Sequence, residues 1–157
     1  MEIQVIKMQE TPVQCSLDST RTFGLILNKA LTKLKMIHWY VMCYNTHKII
    51  GNLYEDLTDL IDTLQEEIIG TSRNQNKQFP QINPGLFETD DISHYQTTDR
   101  DIMECYYDTT KKLVDMFSNQ EFNNYVASVS SGLNNTKEEI ISRVNKANYL
   151  LSLIPKI

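Results

Sequence analysis

Apolar and polar positions change period along the chain. Over residues 1–18, Ile3, Val5 and Met8 loosely alternate with polar residues, and Thr11-Pro12 interrupts any helix. This stretch reads as an extended N-terminal arm. From Ser19 the period is helical: Phe23, Leu27, Ala30, Leu31, Leu34 and Ile37 recur at steps of three and four, and Ser19 or Thr20 suits the N-cap. The pattern predicts a helix over 19–41. Asn45 and Thr46 suit a restart, and Ile50, Leu53, Leu57, Leu60, Ile61, Leu64 and Ile68 then form a strong stripe ending at Gly70. The second helix is expected over 46–69.

Residues 71–97 carry no period but hold Asn74, Asn76, Pro80, Pro84 and Gly85. So long a connection in a compact domain suits a crossover along a bundle whose neighbouring helices run parallel. A third helix is expected over 98–130, starting near Thr98 with Asp99 and Asp101 in its first turn and open to interruption at Ser118-Asn119. Gly132 and Asn134-Asn135 read as a turn. Thr136-x-x-Glu139 reads as a capping box opening a fourth helix over 136–153, ended by Pro155. The expected fold is all-α, a four-helix bundle with a long crossover loop.

Composition narrows the class. The 157 residues are 41% hydrophobic, enough for one packed domain. A net charge of -5 disfavours a basic DNA-binding body. No apolar run approaches the ~20 residues that span a bilayer, and the opening MEIQVIKMQE lacks a signal peptide's apolar stretch. Cys15, Cys43 and Cys105 are odd in number and form no CxxC pair, which suggests a reduced, cytoplasmic setting. Lys29, Lys33, Lys35 and Lys48 read as surface lysines, and the tyrosines as amphipathic packing. No phosphate-cradling glycine loop or GxSxG is present.

Of three histidines, His38 and His47 lie close together and His94 falls in the long connection. Glu55, Asp59, Asp62 and Glu66 form an acidic stripe on the second helix. Imidazoles with carboxylates are a ligand set for iron, manganese or zinc. Acid opposite an apolar stripe is equally the mark of a solvated face.

The run LTKLKMIHWYVMCYNTHKIIGNLYEDLTDLIDTLQEEIIG resembles the first helical hairpin of the mini-ferritins, the DNA-protecting starvation proteins. That family has an HW dipeptide late in its first helix and a His opening its second, then an Asp 15 and a Glu 19 residues on. His38-Trp39, His47, Asp62 and Glu66 match. The His38–His47 stretch is three residues shorter than in the family. Gly51 stands where the family has an Asp, and Glu55, one turn on, is the carboxylate that would substitute. The chain is also similar to phage-encoded and related bacterial proteins with ferritin-like helices. It shares their HW, a His nine residues on, the Gly, the Tyr54-Glu55-Asp56 run and Asn145-Lys146-x-x-Tyr149-Leu150-Leu151.

The resemblance implies a homo-oligomer that binds and oxidises iron at a two-fold subunit interface. His47, Asp62 and Glu66 would be ligands, and His38 a ligand or a hydrogen-bonding support. The alternative is a structural or interaction protein, such as a virion component contacting viral structural proteins, that kept the bundle without the metal centre. The negative charge and an arm with only Lys7 before Arg21 set it apart from DNA-coating members.

Overall fold

In a computed structural model the protein is described over residues 12–75, 77–87 and 98–155. Five helices and no strand occur among them: α1 (Pro12–Tyr40), α2 (Tyr44–Asn74), α3 (Asp99–Phe117), α4 (Gln120–Val129) and α5 (Ser131–Ser152). The all-α expectation holds; several boundaries differ, each for a physical reason.

Helix α1 opens at Pro12, inside the stretch expected to be extended. A proline at the first helical position lacks only an N–H that would have no partner in the helix. Residues 1–11 of the expected arm lie outside the described residues. Helix α2 runs through Gly70 to Asn74. A glycine inside a helix costs about 1 kcal/mol, but Ile68 and Ser72 on either side are fully buried, so packing carries the helix past it.

The expected helix over 98–130 is two helices. Thr98 caps α3, its side chain accepting from Asp101 N at 3.3 Å. Asn119 caps α4 by accepting from Phe122 N at 3.1 Å, and Ser130 caps α5 by accepting from Leu133 N at 3.3 Å. Gly132 and Asn134-Asn135, expected as a turn, therefore lie inside α5. Buried Leu133 anchors that first turn, and Thr136, freed from capping, places its hydroxyl between Gly132 O (3.1 Å) and Glu67 Oε1 (3.2 Å).

α1 packs along α2 and α3, both of which pack on α5; α4 lies against α5 and α3. Cross-helix contacts set the directions. Gln65 bonds Thr20 O at 2.8 Å, making α1 and α2 antiparallel. The Asp56–Arg143 and Glu67–Thr136 contacts make α2 and α5 antiparallel. Asp99 at the start of α3 bonds the α1–α2 turn and Phe117 at its end meets Phe23, so α3 runs parallel to α2; midway along it, Tyr106 donates to Asn148 Oδ1 at 2.7 Å near the end of α5.

The apolar stripe of α2 is buried as expected, apart from half-buried Leu60. At the end of the molecule away from the α1–α2 turn, Phe23 meets Phe79 at a ring-centre distance of 5.0 Å and Phe122 at 5.6 Å; Phe79 meets Tyr125 at 5.0 Å. Phe79 and Phe87 belong to the connection without periodicity, yet both are buried. Lys33, expected on the surface, is 6% exposed because it lies on the inner side of α1.

Candidate functional site at the α1–α2 hairpin

Three residues, Val41 to Cys43, join α1 to α2. Val41 is buried and donates its N–H to Ile37 O at 3.0 Å, ending α1. The first amides of a helix have no partner within it. Here Asp99, in the first turn of α3, accepts from Met42 N at 2.9 Å and Cys43 N at 3.0 Å, placing a carboxylate at the positive end of α2. The half-buried Cys43 thiol is held below its ordinary value, chiefly by a hydrogen bond with the Thr46 side chain and then by the Thr46 backbone. The charge of Asp99 acts in the opposite direction.

His38 and His47 are brought together and bond reciprocally. His38 Nδ1 lies 2.8 Å from His47 O, and His47 Nδ1 lies 2.6 Å from His38 O. A carbonyl only accepts, so each Nδ1 is the donor of its bond; in the neutral form of such a ring the lone pair sits on Nε2. The rings stack with centres 3.9 Å apart and planes 22° apart. Gly51 lies one turn after His47 on the same side of α2. A Cβ built on it would fall 2.5 Å from His38 Cε1 and 2.8 Å from His38 Nδ1. Only glycine leaves room for the stacked ring.

Asp62 and Glu66 are not part of this cluster. Both are exposed on α2, 15 and 19 residues beyond His47, which is about 22 and 28 Å along a helix. One chain therefore cannot bring them and the histidines to one ion. Glu55 and Asp59 are exposed too, while Asp56 reaches Arg143 at 3.5 Å. Among the described residues no group of three or more His, Cys, Asp or Glu side chains is arranged to hold a metal. His94 lies outside the described residues.

The histidine pair also fails a stricter test as a chelate. A metal binds imidazole in the ring plane at about 2.0–2.1 Å from nitrogen. Two nearly parallel planes with centres 3.9 Å apart do not meet at a point that close to both Nε2 atoms. As stacked, the rings can each offer one lone pair, but not to a shared ion.

Periodicity gave no warning of what surrounds the pair. A groove of about 370 Å³ opens beside it, edged by Lys35, Trp39, Tyr44, Lys48 and Glu55. The Lys35 ammonium lies 5.2 Å from the centre of the Trp39 ring and 5.9 Å from that of Tyr54, within cation–π range. Among the described residues nine large hydrophobic side chains are exposed. Four of them, Trp39, Tyr40, Met42 and Tyr44, sit on the hairpin; Tyr149, Leu150 and Leu153 at the end of α5 lie at the same end of the molecule. The run of aromatics around Met42 was the one available signal, and amphipathic packing explained it equally well.

No described helix is long and apolar enough to cross a membrane. Comparison with protein-family models, curated proteins and solved structures gives no match.

Proposed function

We propose that the protein is a ferritin-like four-helix bundle that acts through assembly with further copies of its own chain, without a working metal centre of its own. One observation carries this: among the described residues, seven of the nine exposed large hydrophobic side chains gather at one end. Clustered apolar exposure marks an interaction surface. Helix directions support the bundle, since α2 and α3 are both antiparallel to α5 and a long connection is needed between them. Such a protein suits a structural role in a larger particle, a virion included. Light scattering on the purified chain tests the proposal. Wild type should exceed the monomer mass, and a Trp39→Ser, Tyr44→Ser double variant should shift toward monomer with unchanged helical circular dichroism. A wild-type monomer, or an unchanged assembly in the variant, overturns it.

A second reading keeps iron. Exposed Asp62 and Glu66 lie on α2, and half-buried His38 and His47 line a groove that opens on the same hairpin. An antiparallel second copy would bring one chain's carboxylates toward the other chain's histidine, giving a ligand set with one imidazole per ion. Bound iron would supply redox chemistry toward oxygen or peroxide. Ferrous titration discriminates: oxidation above the buffer rate, lost in His47→Ala and in Asp62→Ala, favours this reading over the first.

A further inference from the structure

We propose that the groove on the hairpin is a binding site for a small aromatic phosphate, of the class of a nucleoside monophosphate: the ring stacks on Trp39 and Tyr44, and Lys35 and Lys48 hold the phosphate. The site needs only one chain and so goes beyond the assembly reading, although Trp39 and Tyr44 serve in both.

Size and lining come first. A volume of about 370 Å³ falls in the range of small-molecule sites. Helix α1 lines the groove with Lys35 and Trp39, and α2 lines it with Tyr44, Lys48, Tyr54 and Glu55. Positions 35 and 39 are one turn apart on α1, as are 44 and 48 on α2. Each helix therefore brings an ammonium group and an aromatic ring to the same opening. Trp39 and Tyr44 are both exposed, which leaves ring surface for a base to stack on.

Charge selects the sign of the ligand. The chain carries a net charge of -5, yet this groove sets two ammonium groups against one carboxylate, Glu55. An external cation finds its place taken, because the Lys35 ammonium already lies 5.2 Å from the centre of the Trp39 ring and 5.9 Å from that of Tyr54. An anion is attracted instead. Among the described residues no arginine lines the groove. Lysine holds phosphate as a point charge, whereas bidentate pairing with a carboxylate calls for the fork of arginine.

The acidic stripe sets the length of the ligand. Beyond Glu55, α2 continues with exposed Asp59, Asp62 and Glu66. A phosphate chain running on along α2 meets carboxylates, so the groove takes a single nucleotide and not a strand.

Trp39 is the chain's only tryptophan, so its fluorescence reports this groove. AMP is added to the full-length protein, with excitation at the red edge of indole absorption, where adenine does not absorb. The signal should change saturably, and adenosine and inorganic phosphate should each bind about tenfold or more weakly than AMP. Lys35→Ala and Lys48→Ala should each weaken AMP about tenfold and leave adenosine unchanged. Tyr44→Ala should weaken both. Lys146→Ala, in the separate groove between α2 and α5, should change neither. All four side chains are exposed, and circular dichroism checks that each variant folds.

Three results overturn the proposal: no saturable change below about 1 mM AMP, adenosine binding as tightly as AMP, or a single-stranded oligonucleotide binding more tightly than AMP. Mass measured on the same samples keeps the two proposals apart. AMP binding by a monomer supports the site and counts against assembly, whereas an assembled chain that ignores AMP overturns the site alone.

Discussion

Asp99 accepts the backbone N–H of Cys43 at 3.0 Å across a sequence separation of 56 residues, and its other oxygen takes Met42 N at 2.9 Å. A residue at the start of α3 thereby closes the turn between α1 and α2. Replacing it should expose two amides and remove one negative charge. Asp99→Ala is expected to cost about 1–2 kcal/mol in urea unfolding. It should also speed alkylation of Cys43, because the charge that opposes its thiolate is gone. Peptide mass spectrometry after a short iodoacetamide pulse at constant pH reads the second effect; an unchanged or slower rate at Cys43 would contradict it.

Tyr106 is fully buried and donates to Asn148 Oδ1 at 2.7 Å. Burial pushes its phenol well above the ordinary value, with the neighbouring Tyr107 charge adding to the effect. The folded value lies above the unfolded value of 10.0, so the stability this group confers is intact below about pH 10 and falls as the pH rises past it. Urea midpoints from pH 8 to 11 should decline above pH 10 in wild type. Tyr106→Phe should lose about 1 kcal/mol at neutral pH and decline less steeply in alkali.

Phe79 and Phe122 test whether the long connection belongs to the core. They come from a segment without periodicity and from α4, yet both pack on Phe23, at 5.0 and 5.6 Å between ring centres. Each Phe→Ala change should cost about 3–5 kcal/mol, a large share of the stability of a domain this size. A loss below 1 kcal/mol at Phe79 alone would mean that the connection is not part of the cooperative unit.

Gly70 and Gly51 should answer differently to alanine. A Cβ at Gly70 meets nothing within 4 Å, and the residue lies inside α2. Gly70→Ala should therefore stabilise by up to about 1 kcal/mol through helix propensity. Gly51→Ala gains the same propensity but displaces His38, so its net change should be smaller or reversed. Thermal unfolding of the two variants side by side measures the difference, and equal stabilisation would contradict the close approach at Gly51.

Much of the helical framework was legible in the residues. The stripe from Ile50 to Ile68 needed no partner to be read, because a 3.6-residue period is a property of one helix. Thr98 and the Ser118-Asn119 break were legible for a similar reason, since capping is local. Local rules failed where two of them competed or where packing outweighed both. Thr136-Glu139 matched a capping box, but Ser130 starts α5 because buried Leu133 fits a helix begun earlier. Gly70 looked like a stop, and the burial of Ile68 and Ser72 overrode it.

Sequence alone determined that the chain is helical and that His38 and His47 lie close, since nine residues across a short turn cannot stray far. It also placed the acidic stripe on the side of α2 away from the apolar one. Tertiary structure decided what those residues touch. Periodicity states which side chains share a face; what the face meets depends on neighbours remote in sequence. Burial of Lys33, Phe79 and Phe87 and the Asp99 contacts with Met42 and Cys43 arise only from that packing. The 2.5 Å approach of His38 to a Cβ at Gly51 arises the same way: a glycine there leaves the space that the stacked His38 ring fills.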